Sequence, residues 1–194
     1  ENLAKIIDRE TGQPVQPLSS TVGGLSIAIP GQIKALHQAH KMWGKLDWQD
    51  CWQETIQLAR DGFVIDEKLN AHIQSQLTKY DLLGNKKYFG DWSIYYRDLE
   101  QGVLKGLTEK IFDTELANTM EKIAVNPEGF YNGALMKDIV ADIYEAYGII
   151  DQSDMQNYNV IVNSNPDQVH LKNFNLDLIL PPIPSGGPLM AFML

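Results

Sequence analysis

The stretch GGLSIAIPGQIKALHQAHKMWGKLDWQDCWQETIQLARDGFVID, Gly23 to Asp66, decides how this chain is read. Leu25, Ile27 and Ile29 fall on one side of an extended segment, because successive side chains of a strand point to opposite faces. Pro30 and Gly31 end that strand. Ile33, Leu36, His37 and His40 then recur at spacings of three and four, which predicts a helix with one packing side that stops at Gly44. Asp47 is placed to cap a second helix running to Gly62. Trp43, Trp48 and Trp52 bracket this helix pair, and their rings are expected to fill its junction while each indole N–H seeks a carbonyl.

Working outward, the pattern predicts strands near 3–8, 158–163 and 175–180, and helices near 31–43, 48–60, 66–79, 114–124 and 134–147. Residues 81 to 112 carry four glycines among aromatics without a steady period and read as an irregular excursion. Helix dominates, with a few strands, so the fold class is α+β. No repeat, low-complexity tract or charge block divides the sequence, and it is treated as one structural unit.

Composition narrows the function. A chain of 194 residues with 44% hydrophobic content has enough apolar material for a core burying about 70% of the unfolded surface. A net charge of -9 and a pI near 4.8 repel a phosphate backbone, and the lysines are scattered, so nucleic acid is not an expected partner. No apolar run approaches the roughly 20 residues that span a bilayer. Cys51 is the one cysteine, which excludes an internal disulfide, and it is expected to pack as a small buried hydrophobe.

Two groupings invite a metal reading. His37 and His40 lie three apart on a helix, with Cys51 or His72 as imagined further ligands, but HxxH without a clustered partner is weak and packing is preferred. Asp138, Asp142 and Glu145 share one side of the helix that begins at Ala134, opposite Met136, Ile139, Val140 and Ile143. An oxygen site needs a loop to wrap the ion, so a solvated polar face is expected. PPIPSGG, Pro181 to Gly187, lies between a strand and a helix and reads as a rigid turn rather than a docking motif.

The order of strand, Pro-Gly, helix, Trp-Gly, link and helix closing on IQLARDGF resembles the large subunit of the γ-glutamyltransferases, or glutathione hydrolases. Three further blocks follow colinearly: KGLTEKIFDTELANTMEKIAVNPEGFYNG from Lys105, GIIDQSDMQNYNVIV from Gly148, and LDLILPPIPSGGPLMAFML from Leu176. Nearly the whole chain is covered. The resemblance implies a helix-rich part of a four-layer αββα sandwich of the N-terminal-nucleophile hydrolase type, whose remaining strands come from elsewhere in the protein. Leu189 to Leu194 form an apolar run without a cap, which adds to the expectation that the domain continues beyond the C-terminus. Opening on Glu1, the chain is also expected to lack the signal or anchor the family often carries, so an extracellular or cell-surface location, periplasmic in bacteria, comes from the resemblance alone.

Family chemistry uses a threonine at a newly made N-terminus of the small subunit, within Thr-x-His-x-Ser, to attack a γ-glutamyl amide. That motif is absent here, so no catalytic residue is assigned and the segment by itself is expected to be inactive. AKIIDRET, Ala4 to Thr11, resembles the strand ending in Arg-Glu that holds the donor's α-carboxylate. Arg9 is then the candidate clamp, because a guanidinium fork meets a carboxylate through two parallel hydrogen bonds, and Glu10 would orient it or face the donor's amino group. Gly12-Gln13-Pro14 follows where the family has x-Ala-Pro, and the link to Gly23 is short. For this pair the alternative is a solvated Arg-Glu near a chain end; for the protein as a whole it is a non-catalytic secreted homologue that binds or serves as a scaffold. The implied partners are the rest of the large subunit, the small catalytic subunit, and glutathione with other γ-glutamyl compounds; no cofactor is implied.

Overall fold

The computed structural model describes residues 23–79, 92–163 and 166–193, and they fall into two compact units that divide after Asn159. In the first unit α1 (Gln32–Trp43), α2 (Asp50–Asp61), β1 (Phe63–Val64) and α3 (Glu67–Lys79) precede β2 (Tyr96–Asp98), β3 (Val103–Leu104) and β4 (Lys110–Ile111). Four helices follow: α4 (Thr114–Val125), the single turn α5 (Gly129–Asn132), α6 (Ala134–Glu145) and α7 (Gln152–Asn157). The second unit holds the hairpin β5 (Asp167–Leu171) and β6 (Leu176–Leu180), then α8 (Gly187–Met193).

Helix α2 packs on α4 because each carries a narrow apolar stripe. Ile56 and Ala59 of α2 meet Ala117, Met120 and Ala124 of α4, with Trp52 against them. The alanines let the two helices approach closely, and Ala117 is fully buried. Arg60 spans the same junction, donating to Asn118 Oδ1 at 2.9 Å and pairing with Glu121 Oε1 at 2.7 Å. Asp113 caps α4 by accepting the Leu116 amide at 2.8 Å, and Asp151 with Asp154 forms a reciprocal capping box on α7. A second cluster gathers Ile65, Ile73 and Ile111 under the aromatics of 92–96, and a third joins Ile123, Phe130, Tyr131, Met136 and Met155.

Several expectations are corrected. Residues 23–29 are not a strand: Gly24–Ser26 is a 3-10 turn, and the Gly24 amide donates to the Ala146 carbonyl at 3.0 Å instead of to a sheet neighbour. That approach requires two glycines, since a Cβ on Gly24 would lie 2.4 Å from the Gly148 nitrogen. Asp47 does not cap α2 with its carboxylate; its carbonyl accepts the Asp50 amide at 3.1 Å in a preceding turn, and the helix starts at Asp50 with no side-chain cap. Residues 158–163 form no strand. Cys51 is exposed, because it lies on the side of α2 turned away from the Ile56 and Ala59 stripe. Trp43 is 71% exposed and takes no part in the junction that Trp48 and Trp52 fill, and Leu36 also faces outward from α1.

Other expectations hold. The 134–145 helix buries Met136 and Ile143 and exposes Asp138, Asp142 and Glu145. PPIPSGG is the turn between β6 and α8. Within the irregular excursion, the described part contains one short antiparallel pair, β2 with β3, and the strand β4, which pairs antiparallel with β1 outside it. The strand expected near 3–8 and residues 81–91 lie outside the described residues.

Candidate functional site

Arg9 and Glu10, the substrate-binding candidates, lie outside the described residues. Inside them, a connected polar arrangement surrounds the start of α1. Gly31, the residue before that helix, offers no side chain to its first amides. The cap arrives from far along the chain: Tyr131 Oη accepts the Lys34 amide at 3.1 Å and donates to the Pro30 carbonyl at 2.6 Å. Its ring stacks on Tyr158, with centroids 5.9 Å apart and planes 14° from parallel. Lys34 Nζ sits 5.0 Å above the Tyr131 ring and donates to the Tyr158 carbonyl at 2.6 Å. Gly31 lies so close to the Tyr158 hydroxyl that a Cβ there would overlap it. Burial raises the Tyr131 hydroxyl above the usual phenol range, so the group stays a neutral donor.

One helical turn further on, His37 Nδ1 lies 3.4 Å from Glu128 Oε1, and Lys41 Nζ lies 3.5 Å from the same oxygen. Burial lowers the His37 pKa below its ordinary value, with Lys41 acting in the same sense and Glu128 opposing. The ring also packs 5.1 Å from Trp48, which His40 meets edge-on at 5.4 Å and whose indole donates to the Ile123 carbonyl at 3.2 Å. These histidines are therefore packing groups. Among the described residues no three His, Cys, Asp or Glu side chains converge as a metal-ligand set.

Away from α1, Arg97 grips Glu109 through Nε at 3.0 Å and Nη2 at 2.7 Å, and Glu109 also accepts the Gly106 amide at 2.8 Å. The Gly106 amide first, then Arg97, lowers the Glu109 pKa. This bond set closes the loop between β3 and β4. A recess of about 170 Å³ beside α5 is lined by Lys122, Asn126, Gly129, Gly133, Ala134 and Leu135. It holds no carboxylate, imidazole or thiol, and so no acid–base pair.

The polar contacts named above hold helix ends and loops. Sequence reasoning missed Tyr131, Lys34, Glu128 and Tyr158 as a connected set. The one local signal was FYNG, where Gly133 closes on Gly129 so tightly that a Cβ would lie 2.8 Å from the Gly129 carbonyl oxygen.

A sequence profile described as Gamma-glutamyltranspeptidase matches residues 6–194. The scoloptoxin SSD14 of Scolopendra dehaani is 34% identical over 176 residues, covering 90% of this chain and 29% of that protein. Glutathione hydrolase proenzyme 1 of Schizosaccharomyces pombe is 36% identical over 144 residues, 74% of this chain and 22% of its own length. Among solved structures, the gamma-glutamyltranspeptidase from Pseudomonas nitroreducens complexed with L-DON superposes with a TM-score of 0.74 at 27% identity, over 95% of this chain and 50% of that one. The chain spans less than a third of the length of these curated relatives.

Proposed function

Because the chain belongs to the gamma-glutamyltranspeptidase family, we propose that it is a large-subunit portion of an enzyme that hydrolyses glutathione or transfers its γ-glutamyl group to amino acids, peptides or water. The observation that carries the reading is the continuous match over residues 6–194, joined to the fold likeness at a TM-score of 0.74. In this proposal the α1–α2 and α4–α7 helices cover one face of a four-layer αββα sandwich. The rest of the large subunit supplies the strands that continue it past Leu194, and the small subunit supplies the nucleophile. The complete protein acts outside the cytoplasm, at the cell surface, in the extracellular space or in the periplasm.

The reacting group in this scheme is an N-terminal threonine outside this chain, its hydroxyl attacking the γ-glutamyl carbonyl while its α-amino group takes the proton. Arg9 contributes binding: its fork pairs with the donor's α-carboxylate and so aligns the γ-carbonyl, with Glu10 holding the fork or meeting the donor's ammonium. The reading is tested with a γ-glutamyl anilide and the complete, processed protein. Arg9→Ala is expected to raise donor KM and lower kcat/KM by about tenfold or more, the loss of a charge-assisted bidentate contact. An unchanged donor KM overturns the clamp and leaves the family assignment standing.

A second reading, a secreted homologue that kept the scaffold and lost the chemistry, is favoured by Gly12-Gln13-Pro14 in place of x-Ala-Pro. The full-length sequence distinguishes the two. A threonine within Thr-x-His-x-Ser supports the enzyme, and its absence supports the binding or scaffold protein.

A further inference from the structure

We draw no further inference here: the strongest candidate, the exposed apolar corner formed by Met42, Trp43 and Leu46 between α1 and α2, is an unpartnered face and nothing in the structure shows what covers it.

Discussion

The Tyr131 hydroxyl serves Pro30 and Lys34 at once, although they lie 101 and 97 residues away in sequence. Tyr131→Phe keeps the ring and removes both bonds, leaving a carbonyl and a helix-start amide short of partners. The expected cost is about 1–3 kcal/mol, read from the urea midpoint of the protein at unchanged slope. His37 makes a different prediction. Its folded pKa is held below the ordinary 6.5, chiefly by burial, so the fold favours the neutral ring. That contribution is present above the unfolded pKa and is lost as pH falls through the folded value. An NMR titration of the imidazole should place His37 below 6.5, and His37→Gln should flatten part of the stability loss between neutral and mildly acidic pH. An imidazole titrating at or above 6.5 would show that the Glu128 attraction outweighs burial.

At the scale of elements, two aspartates that look alike in sequence behave differently. Asp113 caps α4 through its carboxylate, so Asp113→Ala should cost about 1 kcal/mol. Asp47 uses only its backbone carbonyl, which any residue provides, so Asp47→Ala should shift the unfolding midpoint far less. Equal losses at the two sites would mean that α2 is capped by the Asp47 side chain after all. The long amphipathic helices were legible within a residue or two, since a 3.6-residue period over twelve positions leaves little ambiguity. The two-residue strands β1, β3 and β4 have no period to detect. Segment 23–29 misled for a related reason: alternation announces a strand only when a neighbour supplies hydrogen bonds, and here Gly24 bonds to the end of α6 instead.

Among the described residues, buried side chains collect in separate clusters, while Ile161, Ile183 and Phe192 stand 94%, 79% and 88% exposed. In the proposed enzyme such surfaces lie against the rest of the polypeptide, and the nucleophile lies there too. The purified chain alone is accordingly expected to release no glutamate from glutathione, measured by a coupled glutamate assay. Turnover by this segment alone would sink that division of labour. Family membership, helix positions and the Pro181–Gly187 turn were all written locally, because they depend on residue order and on spacings of a few residues. Which side of α1 packs, why Trp43 is exposed while Trp48 packs, and how a tyrosine within α5 comes to cap α1 were decided by tertiary contacts. Those contacts join residues 75 to 101 positions apart, and a pairing across such a distance leaves no periodic trace in either partner's neighbourhood.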